Sequence, residues 1–317
     1  MKKFGYFLVV FLIILSCSDD KTVSDEILNI EVDYEIERFD KFFIGPEAED
    51  LSKLKEAYPF MFSKRYSDSV WIERRQDTLQ QQLHAEIAKV FDEVEEDQIA
   101  LLFKHMTYYF DVFKTPRVIT VPSDVDYRNK VIVTDSITLI ALDNYLGEDH
   151  EFYRNIQKYL SQNFRKEMIV SDLAEAYGKR YIYQASQKTL LDNMIYFGKL
   201  LYFKDMIIPL ESDENKIGYT KAQLDWAKAN ESPIWQYFIE RELLYSSNPK
   251  LANRFINPAP FSKFNLELDN ESPGRLGQYI GWQIVRSYME NNDVSFVDML
   301  RTDPKEIFDN ARFKPKR

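Results

Sequence analysis

Cysteine is nearly absent: Cys17 is the only one in the 317-residue chain. A single cysteine excludes an internal disulfide, and its place near the start leaves the body without a thiol nucleophile. Histidine is almost as scarce. His84, His105 and His150 stand far apart, each expected at the surface or half-buried. No H-E-x-x-H joins any two into the usual zinc-peptidase helix. The chain also lacks a G-x-S-x-G elbow, a P-loop and a G-x-G-x-x-G turn. Serine-hydrolase chemistry and nucleotide binding are therefore without their ordinary signatures, and no cofactor is expected. Only nine glycines occur, which favours long helices over tight turns. Basic residues number 41 against 51 acidic ones, for a net charge of −10. That balance disfavours nucleic acid and anionic lipid headgroups as partners. Carboxylates are so common that sequence alone cannot rank their pairs.

Apolar and aromatic residues are plentiful. The chain is 45% hydrophobic, with 20 Tyr and 23 Phe, enough to bury a large core. Its start has a distinct grammar. Met1-Lys2-Lys3 precede an uncharged stretch, Phe4–Leu15. A basic head and an apolar run read as an export signal. The run is too short to span a bilayer, which takes about 20 residues. It closes on Ile14-Leu15-Ser16-Cys17: an aliphatic residue, a small residue before the cut, then cysteine. That is the pattern of a bacterial lipobox, whose thiol is alkylated before cleavage. The expected organisation is a signal peptide over 1–16, a lipidated tether over 17–30 and one globular domain over 31–317. Acyl chains on Cys17 would supply the membrane affinity. The protein is then expected in the cell envelope, on the inner or outer membrane, facing the periplasm or the surface.

The fold class expected is α+β and mostly helical, with a small sheet packed against many helices. Residues 30–45 read as a half-buried strand, because Ile30 to Phe39 alternate apolar and charged side chains. Asp50–Tyr58 reads as a short helix. Asp68–Phe91 reads as one long amphipathic helix with Leu79, Leu83, Ile87 and Val90 on one face, and Gln98–Phe110 as another. Three β-branched runs, 117–121, 130–133 and 136–141, read as strands of one sheet, and 144–147 as a turn. From Glu151 onward helices dominate. Ser232-Pro233, Asn248-Pro249, Ser272-Pro273 and Asp303-Pro304 each read as a polar cap followed by proline at the first helical position. Thr189–Phe203 is apolar nearly all round, as a buried central helix would be.

Two segments invite a functional reading. Gly274, Gly277 and Gly281 are spaced to line one face of a helix. Glycine in a helix costs about 1 kcal/mol against alanine, so the spacing implies either close helix packing or close approach of a ligand. In the second reading Arg275 is the anion partner and Tyr279 lies on the same segment. The other segment, Asn257-Pro258-Ala259-Pro260-Phe261-Ser262-Lys263-Phe264, is either a groove lining presenting Phe261 or a rigid connector over the core.

Much of the chain resembles the gliding-motility lipoprotein B (GldB) family of Bacteroidetes bacteria. The resemblance is carried by Ile234–Glu240, Leu243–Ser246, Arg254–Phe261 and Glu271–Tyr288, with Met194-Ile195-Tyr196-Phe197-Gly198-Lys199-Leu200-Leu201-Tyr202 and the lipobox in support. Ser18-Asp19-Asp20 is similar to the acidic surface-export signals of such lipoproteins. The resemblance implies an envelope lipoprotein required for gliding, tied to the type IX secretion machinery. A more distant likeness is to predicted zinc-dependent proteases. There Ser171–Gly178 matches the metal-binding helix, with Glu175 at the catalytic glutamate. Ala174 and Gly178 replace its two histidines, and Phe197 replaces a later glutamate. The likeness implies a degenerate zincin-like scaffold with no metal ligands, since zinc needs three protein ligands plus an open position. The favoured expectation is a non-catalytic component that binds a partner through Glu175, Tyr196, Phe261, Arg275 and Tyr279. The alternatives are a peptidase or peptidoglycan hydrolase on the same scaffold, and a chaperone for secreted adhesins.

Overall fold

Alternating β-branched residues build the only sheet among the described residues, and it is small. The computed structural model describes residues 23–316 apart from 93, 95, 185–188 and 266–268. The expected signal peptide, Cys17 and the first part of the tether lie outside the described residues. Strands β1 (Ile36–Glu37), β2 (Arg117–Val121), β3 (Val131–Val133) and β4 (Ile137–Ala141) lie in the order β1-β2-β4-β3. β1, β2 and β4 run parallel, with Val118 opposite Ile36 and Thr138, and β3 returns antiparallel to β4. Of the strand expected over 30–45, only Ile36–Glu37 pairs as one, and Phe39–Phe43 is helical instead. Its alternation survives, with Val32, Tyr34 and Ile36 half-buried and Glu31, Asp33 and Glu35 exposed. The sheet is covered on both faces. Val118 and Ile140 belong to the large core, whereas Ile119 joins a smaller aromatic core of Phe39, Phe43, Tyr58 and Phe62.

Sixteen helices surround this sheet among the described residues. The first half holds α1 (Asp25–Leu28), α2 (Phe39–Phe43), α3 (Leu51–Ala57), α4 (Asp68–Gln76), α5 (Thr78–Val90) and α6 (Glu96–Tyr109). The second half holds α7 (Lys158–Ser161), α8 (Ile169–Tyr181), α9 (Leu190–Ile207), α10 (Asp213–Ile217), α11 (Lys221–Ala229) and α12 (Glu231–Glu240). It ends with α13 (Lys250–Phe255), α14 (Leu276–Asn291), α15 (Phe296–Arg301) and α16 (Pro304–Ala311). The expected α+β class, mostly helical around a small sheet, is what the chain adopts. The buried central helix is α9. Its start is fixed by a reciprocal cap: Asp192 N donates to Thr189 Oγ1 at 3.1 Å, and Thr189 N to Asp192 Oδ2 at 2.8 Å. Helix α14 crosses it where Gly198 meets Gly281. A Cβ on Gly281 would lie 1.8 Å from the Met194 carbonyl oxygen, and one on Gly198 2.3 Å from the Gly281 oxygen.

Several expectations are corrected. Asp68–Phe91 is two helices, because Asp77 adopts an extended backbone and caps α5 by accepting from Gln80 N at 2.9 Å. The break leaves Leu79 57% exposed while Leu83 and Ile87 stay buried. Of the four proline starts, Asp303-Pro304 caps α16 as expected, and Asn248 Oδ1 accepts from Lys250 N at 3.0 Å before α13. Ser232-Pro233 instead sits inside the first turn of α12, and Ser272 donates to the Asp269 and Ser262 carbonyls well before α14 begins. Gly274 is not on the α14 face, because Arg275 turns the chain with φ +62. Close backbone approach still explains that glycine, since a Cβ there would meet the Ala259 oxygen at 2.3 Å. His105 is 2% exposed, not half-buried. Its Nδ1 lies 2.8 Å from the Leu101 carbonyl, which lets the ring enter the core, and burial lowers its pKa.

Candidate functional site

An apolar helix that ends in two charged residues must find partners for them, because burying an unpaired charge is costly. The last turn of α9 carries Lys204 and Asp205. Lys204, 3% exposed, donates to Glu175 Oε2 at 3.1 Å, to Ser171 Oγ at 3.1 Å and to the Lys216 carbonyl at 2.9 Å. The other Glu175 oxygen pairs with Lys179 Nζ one turn along α8, at 2.8 Å. Lys216, 1% exposed, donates to Asp205 Oδ1 at 3.0 Å. Asp205 also accepts from Trp282 Nε1 and from Arg286 Nε and Nη2, each at 2.8 Å. Arg286 is shared with Asp213 and lies 3.7 Å over the Trp282 ring. Two ionic clusters, Lys179–Glu175–Lys204 and Lys216–Asp205–Arg286–Asp213, are joined into one chain by the Lys204 bond to the Lys216 carbonyl and tie α8, α9, α10 and α14 together. Beside its far end opens a cavity of about 340 Å³ lined by Tyr202, Asp205, Lys216, Arg286, Met289 and Glu290.

Electrostatics follow from this pairing. Burial alone would raise the Glu175 carboxyl, but the Lys204 and Lys179 ammonium groups overcome it and hold the pKa well below the usual carboxylate range. Burial opposes the charge on Arg286, yet hydrogen bonds and attraction from Asp205 and Asp213 push its pKa above the ordinary value. A general base works best with a pKa near the working pH. Glu175, held ionised between two cations, is far from that condition.

The sequence-selected residues do not all meet here. Glu175 and Tyr196 are neighbours: burial raises the Tyr196 hydroxyl, Lys179 lowers it and Glu175 raises it again. Tyr196 also sits edge-on to Phe197 at 5.2 Å. Arg275 lies apart, donating to the Gly218 carbonyl at 2.9 Å with its guanidinium 5.2 Å from the Tyr219 ring centre. Tyr279 is buried and donates to Glu231 Oε2 at 3.0 Å, while Oε1 of the same buried carboxylate accepts from Lys316 N at 2.9 Å. Phe261 is half-buried in a connector whose next residue, Ser262, is fully buried and tied to the Pro273 carbonyl. Ala174 and Gly178 are buried, and a Cβ on Gly178 would already touch Leu200 and Phe203 at 3.1 Å. Among the described residues no three His, Cys, Asp or Glu side chains are grouped to hold a metal ion. The sequence reading passed over Lys204, Asp205, Lys216 and Arg286. Its available signal was the Lys204-Asp205 pair closing an apolar helix.

A family model described as gliding motility protein GldB matches residues 20–315. The chain belongs to the GldB family. No curated protein and no solved structure matches it. GldB membership ties the chain to gliding motility, and the ionic chain lies wholly within the matched span. Among the described residues no helix is long and apolar enough to cross a membrane.

In this GldB chain, Glu175→Gln is expected to cost about 1–2 kcal/mol at pH 7, a charged hydrogen-bond contribution reduced by solvent screening. The reduction applies because the side chain is 37% exposed. Since the folded pKa lies below the ordinary glutamate value of 4.5, this stability is present in full above about pH 5 and fades as pH falls through the folded value. Wild type should therefore lose its advantage over the variant on acidification. Thermal melts of both proteins at pH 7 and pH 3.5 test this; a gap that stays constant would refute it.

Proposed function

We propose that the protein serves gliding as a lipid-anchored, non-catalytic envelope component that holds a partner of the gliding and type IX secretion machinery. The observation that carries this reading is the double pairing of Glu175 with Lys204 and Lys179. The carboxylate that the protease likeness would make a base is instead a structural counter-ion. Family membership supports the role in motility, and the lipobox pattern at Cys17 supports the anchor. On this reading a scaffold of peptidase-like ancestry is kept for binding. A peptidase or peptidoglycan hydrolase makes the opposite prediction about Glu175.

The test replaces the pair together, Glu175→Gln with Lys204→Met, so that no buried ammonium loses its carboxylate. Cells lacking the native protein and supplied with this variant are expected to spread over agar as wild type does. Failure to spread, with the variant accumulating and melting like wild type, would overturn the reading and favour a hydrolase. Mass spectrometry of the native protein checks acylation of Cys17.

A further inference from the structure

The sheet has an open side. β1 is its outermost strand, and among the described residues nothing pairs with β1 opposite β2. The extended chain leading into it, residues 31–35, packs Val32 and Tyr34 inward and leaves Glu31, Asp33 and Glu35 exposed. Apart from the ladder to β2, residues 31–37 make no backbone–backbone hydrogen bond to described residues. Beside this edge, at Ile36, opens a groove of about 590 Å³ lined by Ile36, Arg38, Lys41, Asp92, Val94, Glu96 and Asp97. Its far bank is fixed: the Tyr34 hydroxyl donates to the Glu96 carbonyl at 2.7 Å, and Arg38 donates to the Phe91 and Asp92 carbonyls. The groove is therefore a built channel beside an unpaired strand edge, the arrangement that receives an added strand.

Charge decides what kind of strand. Arg38 is neutralised by Asp40 and Lys41 faces Glu47. The outward face of the strand segment carries Glu31, Asp33 and Glu35, and the opposite bank presents Asp92, Glu96 and Asp97 around Val94. We infer that this edge binds an extended, lysine- or arginine-rich segment of a partner protein, added beside β1 as a fifth strand. Main-chain hydrogen bonds to residues 31–37 would give affinity, Ile36 and Val94 would receive an apolar side chain, and the acidic banks would select basic side chains. Two copies of this chain would bring acidic edges together, and that like-charge repulsion disfavours their pairing.

The inference gives the partner-binding reading a surface and a ligand class. It is tested without cells, so its failure leaves the gliding complementation result standing. The probe is a fluorescent heptapeptide of alternating lysine and valine, titrated onto the full-length protein in detergent micelles and followed by anisotropy. Saturable binding is expected. A peptide N-methylated at alternate amides, which keeps its charge but cannot complete a ladder, should bind at least tenfold more weakly. The triple variant Asp33→Lys, Glu35→Lys, Asp97→Lys changes exposed side chains only and should lose at least tenfold as well. No saturable binding, binding indifferent to N-methylation (plain charge adhesion), or binding indifferent to the charge reversal would each overturn the inference.

Discussion

Gly281→Ala is expected to be the most damaging of the glycine-to-alanine changes where α9 and α14 cross. The new Cβ would sit 1.8 Å from the Met194 carbonyl oxygen and 2.5 Å from its carbon. Both obstacles are backbone, so no side-chain rotation relieves them. Helices α9 and α14 would have to separate at their crossing, where Met194, Ile195, Ile280 and Trp282 are all fully buried. Overpacking of this kind costs upwards of about 3 kcal/mol, a large part of the roughly 5–15 kcal/mol that holds a domain folded. A fall in Tm of about 6 °C or more is expected. Gly198→Ala should follow closely, since its Cβ meets the Gly281 oxygen at 2.3 Å. Gly277→Ala should cost less. There one close contact is the mobile Cδ1 of Ile256 at 2.8 Å, although the Phe255 oxygen at 2.9 Å still resists. Thermal melts of the three variants give the ranking, and a Gly281→Ala protein melting within about 2 °C of wild type would show that the two helices do not cross there.

The glycine crossing also shows how far a sequence can be read. Gly277 and Gly281 announced themselves by spacing, because two glycines four apart in a helix need a cause. Their partner Gly198 sits on another helix, and nothing local links the two. The same line separates the rest. Arg117–Val121, Val131–Val133 and Ile137–Ala141 were legible as strands because β-branched alternation is local, and α9 because its apolar surface and Thr189 cap are local. The parallel pairing of Ile36 with Val118 joins residues far apart in the chain, and no periodicity encodes it. Asp77 misled for a different reason: an aspartate can sit on a helix surface or stop the helix, and the flanking pattern fits both. At the candidate site, Glu175 and Tyr196 lie on consecutive long helices, α8 and α9, near enough for the Glu175 charge to act on the Tyr196 hydroxyl. Arg275 and Tyr279 were grouped by their closeness in sequence, but Arg275 precedes α14 and each turns to its own distant partner, Gly218 and Glu231. The ionic chain escaped notice because Asp205 and Arg286 come together only when α9 and α14 cross.

Asp205→Ala is the second large effect expected, and its size comes from what the carboxylate leaves behind. Four N–H groups from three residues converge on it: Lys216 Nζ at 3.0 Å, and Trp282 Nε1 and Arg286 Nε and Nη2 at 2.8 Å each. Lys216 is 1% exposed and Trp282 fully buried, so water cannot readily replace the lost oxygens. Removing one side of a buried ion pair typically costs about 3–5 kcal/mol, mostly for the charge that stays behind. Asp205→Asn keeps the shape and one acceptor but not the charge, and should fall between wild type and alanine. If loss of the Lys216–Asp205 pairing is the cause, Lys216→Met in the Asp205→Asn background should recover much of the loss, with a coupling of about 2 kcal/mol between the sites. The loss should also persist in 1 M salt, which screens exposed pairs far more than buried ones. Urea unfolding midpoints of wild type, the two Asp205 variants, Lys216→Met alone and the double variant, at low and high salt, measure all of this. A single Asp205→Ala variant within about 1 kcal/mol of wild type would mean that packing around α9, and not the ionic chain, holds these four helices in place.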